Sequence, residues 1–223
     1  MKEKALQAEG VNYLILALCA FAGLGLEAIY IYILEPLIYG SHFSDGGWTT
    51  SQLIIHWIIT CISWAVITYI IIGVARKKYG FDIFASGEKV KSWQWLSVIL
   101  LIIISLIVSY ISWSGFKVLK EFQNNGGLKF VFQYIYYFFE VALFLLILIF
   151  GQKAGEVWFK NENIPYGGIL LGLTWGLAHI FTKGSLEVGL LCALAGIMYG
   201  AVYLLLGKDI KKAFPIAFIM FVL

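Results

Sequence analysis

The stretch QWLSVILLIIISLIVSYISWS, residues 94–114, carries no charged side chain and only serines and a glutamine as polar interruptions. A helix of that length rises about 30 Å, the thickness of a bilayer's hydrocarbon core. Outward from it in both directions the pattern repeats, with apolar runs at 12–38, 51–74, 129–151, 165–182 and 187–206 and a shorter apolar tail at 213–223. Each full run has the length of a transmembrane helix, so the expected fold is all-α, a polytopic transmembrane bundle of six to seven helices forming a single domain over 1–223. The tail is about half a span long, and its relation to the membrane stays open. Polar punctuation falls between the runs, at 41–50 around Asp45-Gly46-Gly47, at 76–92, at 117–129 around Asn124-Asn125-Gly126-Gly127, and at 160–165.

Composition agrees, because 61% of the 223 residues are hydrophobic and 13% are charged, far from the balance of a water-soluble domain. The first run is too long for the apolar part of a cleavable leader, so it is expected to remain as a span. Cys19, Cys61 and Cys192 lie inside the runs without metal-ligand spacing and read as small buried hydrophobes. The net charge of +3 comes from lysines between the runs and reports orientation rather than nucleic-acid binding. With the N-terminus inside, twelve Lys and Arg side chains fall on inner segments and four on outer ones, which predicts a multi-pass protein of the cell membrane with a cytoplasmic N-terminus.

Ionisable groups within spans are costly unless paired or hydrated, which singles out Glu27, His56, Glu140 and His179. Counting residues from the outer surface puts His56, Glu27 and His179 about 8–9 Å deep and Glu140 about 16 Å deep, all in the outer half. Two carboxylates and two imidazoles at similar depth could share a proton, hold an ion or activate a water. The same residues could equally serve as separate polar links between helices. Gly168, Gly172 and Gly176 make two GxxxG steps for close helix contact, and helical spacing sets Trp175 and His179 on that face. Glu140 shares a stripe with Gln133, Tyr136 and Tyr137, while Gly23 and Gly25 suggest a close contact beside Glu27. His56, next to Trp57, reads as hydrated near the interface. Glu156 lies about 24 Å along the same helix from Glu140, too far for one compact site unless Gly151 or Gly155 bends the rod, and otherwise reads as a solvated inner end with Lys153 and Lys160.

Leu173-Thr174-Trp175-Gly176-Leu177-Ala178-His179 forms an aromatic-xxx-His pattern, followed by a Lys183-Gly184-Ser185 turn and a span with Gly196, Gly200 and Tyr203. This segment, 164–207, resembles part of the CPBP family of intramembrane proteases, which includes CAAX prenyl endopeptidases and bacterial proteins linked to bacteriocin self-immunity. The resemblance implies a glutamate that activates a water for attack on a membrane-embedded peptide, with His179 orienting it or stabilising the oxyanion; Glu140 takes the first role by position. The family's Glu-Glu-xxx-Arg string is absent, since Val141 and Leu145 stand where its second glutamate and arginine would, and its final His-xxx-Asn is absent after Pro215. The family's prenyl-processing members also open toward the cytosol, opposite to the depth reading. The expected partners are the lipid bilayer and a peptide substrate or partner helix. Two other functions fit the same residues: an ion- or proton-coupled transporter using Glu27, His56, Glu140 and His179, and a noncatalytic immunity or interaction protein docking through its glycine-rich faces. Trp175 and Glu156 complete the candidate set, and no cofactor follows from the sequence.

Overall fold

The computed structural model describes residues 2–40 and 47–223, with side chains from residue 7 onward in the first helix. The Asp45-Gly46 part of the first expected turn and the Lys2 and Lys4 side chains lie outside the described residues. Among those described there is no strand, and the helices form seven rods. Rod α1 runs through Lys2–Ile29, a wide π-helical turn at Tyr30–Leu34 and a final segment Glu35–Tyr39. Then come α2 (Thr50–Tyr79), α3 (Ser92–Ser112) and α4 (Lys117–Phe159). Rod α5 joins Tyr166–Leu171, a second wide turn at Gly172–Gly176 and Leu177–Lys183, and is followed by α6 (Leu186–Leu205) and α7 (Ile210–Val222). Five of these rods, α1 to α4 and α6, are long and apolar enough to cross a membrane, so the chain is a multi-pass membrane-spanning helical protein.

The rods start and stop where local chemistry directs. Thr49 and Gln52 form a reciprocal cap at the start of α2, and Ser185 caps α6 by accepting from the Val188 N–H. Gly40, Gly80 and Gly184 end α1, α2 and α5 in the left-handed region.

The core is α4. From Leu143 to Phe150 every residue is at most 2% exposed, which a helix achieves only when neighbours cover all of its faces. Rods α1, α2, α5 and α7 supply that cover. By contrast α3, equally apolar, buries only Val98 and touches α6 and α7 at the periphery, so its side chains are left for lipid.

Three expectations need correction. The stretch expected as a loop at 117–129 is helical, with one break at Gly126 (φ 67°), so that residues 117–125 fold back beside the main rod. Gly151 and Gly155 neither break nor bend α4. They are flat spots on which α5 sits, where a Cβ would lie 3.2 Å from Gly167 Cα and would overlap the Tyr166 ring. Cys19 is exposed on the outside of α1, whereas Cys61 is buried and Cys192 half-buried. The tail forms α7 and packs on α4. Ser109 and Lys117 donate to its last carbonyls, at Leu223 and Phe221.

The glycine steps of α5 meet α6 backbone to backbone. A Cβ on Gly172 would lie 2.6 Å from the Ala193 carbonyl oxygen, and one on Gly176 would lie 2.5 Å from Ala193 Cα. Neither neighbour can move aside, so Gly172→Leu or Gly176→Leu should lower the thermal midpoint in detergent sharply, at a cost of at least ~3 kcal/mol. Gly25→Ala, with nothing within 4 Å of the added carbon, should leave that midpoint unchanged or slightly raised.

Candidate functional site

Around residues 133–140, α4 presents polar side chains in three directions. Tyr136 donates to Glu27 Oε1 at 2.7 Å, Tyr137 donates to Glu121 Oε1 at 2.6 Å, and Glu140 Oε1 accepts from Trp175 Nε1 at 2.9 Å. The expected stripe is therefore interior: Tyr136 serves Glu27, Gln133 and Tyr137 both serve Glu121, and Glu140 meets Trp175.

On the first side, α1 and α2 close around His56. Its Nδ1 lies 3.0 Å from both Glu35 oxygens and its Nε2 lies 3.4 Å from Glu27 Oε1. His56 and Glu35 are each 2% exposed, so the histidine is enclosed rather than hydrated at an interface. Glu35 is the residue that sequence reasoning missed. It lies eight positions after Glu27, which on a regular α-helix turns it about 80° away. The wide turn at Tyr30–Leu34 absorbs one extra residue and brings the two carboxylates back to one face. A carboxylate near the end of an apolar run, just before Pro36, was the available signal. Of the two glycines beside Glu27, only Gly23 makes the expected close contact, meeting Ile67 and accepting from Trp64 Nε1.

On the second side, Trp175 holds both remaining candidates. Its indole N–H binds Glu140, and its backbone carbonyl lies 2.8 Å from His179 Nδ1. The imidazole packs edge-on to the indole with ring centroids 4.7 Å apart. Trp175 itself sits against Phe144 of α4, Tyr199 of α6 and Phe221 of α7. Among the described residues no direct hydrogen bond joins Glu140 to His179. The wide turn at Gly172–Gly176 also separates functions: the glycines face α6, whereas Trp175 reaches α4. Lys117 and Lys183 lie near enough to act on the charge of Glu140, and the Lys117 ammonium stands over the Tyr137 and Phe221 rings.

Four candidates thus fall into two pairs, Glu27 with His56 and Glu140 with His179. The Glu27 pair reaches α4 through Tyr136, four residues before Glu140 on the same helix.

Glu156 belongs elsewhere. It accepts from Gln152 at 2.9 Å and from Lys208 at 3.1 Å, and Lys208 also donates to Glu162 at 2.7 Å. The i, i+4 spacing to Gln152 is thus realised as a hydrogen bond, and the lysine that joins it is Lys208. The cluster borders a cavity of about 360 Å³ at the opposite end of the bundle, where Glu88 N–H donates to the Gly207 carbonyl. Burial opposes the Lys208 ammonium, but its bonds to Glu162 and Glu156 outweigh that and hold its pKa above the ordinary lysine value. The Lys208 bond in turn holds Glu162 below the usual carboxylate range.

Comparison of the chain with protein-family models, curated proteins and solved structures finds no match.

Two predictions follow from the geometry. Trp175→Phe keeps an aromatic ring but removes the N–H together with the pyrrole part of the indole, leaving Glu140 without its donor beside a small cavity; unfolding should cost ~1–3 kcal/mol less, and the part due to the lost donor should shrink in a Glu140→Gln background. A carboxylate whose pKa is depressed on folding stabilises above its unfolded value and loses that contribution as pH falls. The thermal midpoint should therefore drop as pH is lowered through about 4, and drop less steeply in Lys208→Met.

Proposed function

We propose that the protein is a membrane-embedded acid–base catalyst, a divergent CPBP-like intramembrane peptidase in which Glu140 is the general base and His179 positions the water. The observation that carries this reading is the double grip of Trp175, whose side chain and backbone fix Glu140 and His179 on either side of one indole. A base and its helper must hold their geometry to within fractions of an ångström for proton transfer to be efficient, and a shared anchor provides that.

The bonding pattern favours the orienting role for the histidine. With Nδ1–H donating to the Trp175 carbonyl, Nε2 carries a lone pair and accepts an O–H from water. In that tautomer it orients the nucleophile and cannot donate to an oxyanion. Glu140 keeps its second carboxylate oxygen for the water's other hydrogen. As the water oxygen attacks the peptide carbonyl carbon, its proton passes to Glu140, which returns it to the leaving amine.

Val141 and Leu145, at the places of the family's second glutamate and arginine, are 0% and 1% exposed within the apolar core. The chemistry in this reading therefore rests on Glu140 and His179, with Lys117 and Lys183 as the nearby positive charges. With the basic end of the bundle in the cytosol, the site faces the outer half of the cell membrane.

In liposomes holding single-span reporter peptides, Glu140→Gln and His179→Ala should each reduce cleavage at least ~10²-fold while expression and thermal midpoint survive. Unchanged cleavage would remove the assignment. Solute uptake without a cleaved product would transfer these residues to the carrier reading.

A further inference from the structure

His56 differs from His179 in having a carboxylate at both ring nitrogens. A neutral imidazole offers one N–H donor and one lone pair. If Nδ1 donates to Glu35, the Nε2 lone pair faces Glu27 Oε1, and two electron-rich atoms oppose each other in a place with little water. If Nε2 donates instead, the conflict moves to Glu35, whose two oxygens both lie 3.0 Å from Nδ1. One added proton removes the conflict in either case, by making the ring an imidazolium or by turning one carboxyl into a donor.

We propose that Glu35, His56 and Glu27 form an intramembrane proton-binding site that holds one proton more than a neutral imidazole and two carboxylates. With that proton the trio carries one negative charge; without it, two. Two carboxylates set against one enclosed imidazole raise the free energy of the empty state relative to the loaded one.

The surroundings give the proton a way in. His56 and Glu35 side chains are 2% and 3% exposed, whereas the Glu27 side chain is 28% exposed and is the open end of the trio. A proton reaching Glu27 passes to His56 Nε2, and release reverses the step. Among the described residues, the other groups set against the trio are the Tyr136 hydroxyl from α4, which donates to Glu27, and the Trp48 ring, 5.4 Å from the imidazole. Cys61 on α2, Glu140 on α4 and His179 on α5 also feel the Glu27 charge, and among the described residues no Lys or Arg is ion-paired with the trio. The wide turn that brings Glu35 into place has this pairing as its structural result, and such turns recur at functional sites. The assignment is independent of peptide cleavage, because neither Glu140 nor His179 belongs to the trio.

Solid-state NMR of the full chain in lipid bilayers at pH 7, with ¹⁵N-labelled histidine and ¹³C-labelled glutamate, reads the proton directly. His56 is assigned from the signal lost in His56→Gln. The expected result is either two protonated ring nitrogens at His56 or one protonated carboxyl at Glu27 or Glu35. In Glu35→Gln the His56 ring should carry a single hydrogen. A singly protonated ring with both carboxyls ionised in the wild-type protein overturns the proposal, whether or not Glu35→Gln folds. The Glu140→Gln spectrum should match wild type at His56; that comparison keeps failure of this site distinct from failure of the peptidase reading.

Discussion

An ionised side chain cannot stay alone in hydrocarbon, and the end of this bundle that holds Glu27, His56 and Glu140 is organised around that constraint. Rod α4 satisfies it by sending Tyr136, Tyr137 and Glu140 to three neighbours, so that Glu27, Glu121 and Glu140 each find a donor. The same rod is dry and apolar from Leu143 to Phe150. Packing around α4 thus holds the rods at the distances at which its polar end can bridge them.

Span positions were legible because apolar run length alone fixes them: six of the rods match runs read from the sequence to within a turn or two, apart from an N-terminal extension of α1, whereas α4 outruns its apolar stretch at both ends. Which spans face lipid was not legible. Rods α3 and α4 have similar hydrophobic composition, yet one is almost wholly exposed and the other wholly enclosed at its centre. In a membrane both environments are apolar, so periodicity carries little information. The polar residues Glu27, His56, Glu140 and His179 stood out for their cost, but their partners did not. Regular helical spacing points Glu35 away from His56, and only the wide turn at Tyr30–Leu34 reverses it. Glu121 was read as part of a loop because Asn124, Asn125, Gly126 and Gly127 follow it, although only Gly126 leaves the helical region.

The opposite end of the bundle is fastened by different means. Lys208 joins Glu156 of α4 to Glu162 in the turn before α5, and Gln152 accepts from the Gly167 N–H while donating to the Ile164 carbonyl. Charge pairs of this kind suit an end near water, where a proton or a salt ion can reach them. The two ends of α4 therefore differ in what disturbs them: acid and ionic strength at one, loss of a buried hydrogen-bond donor at the other.

The surplus residue in the first rod has one more implication. A helix with a one-residue insertion normally rotates everything beyond it by about 100°, scrambling which side chains face the interior. Here the loop of backbone at Tyr30–Leu34 confines that rotation to a single stretch and turns it into an advantage, since the segment beyond it delivers Glu35 to His56. Deleting any one of those five residues would leave the two carboxylates seven positions apart, within about 20° of one face on an ordinary helix, whereas keeping all five and winding them as regular helix would turn Glu35 about 80° from Glu27 and strand it without altering a single ionisable side chain.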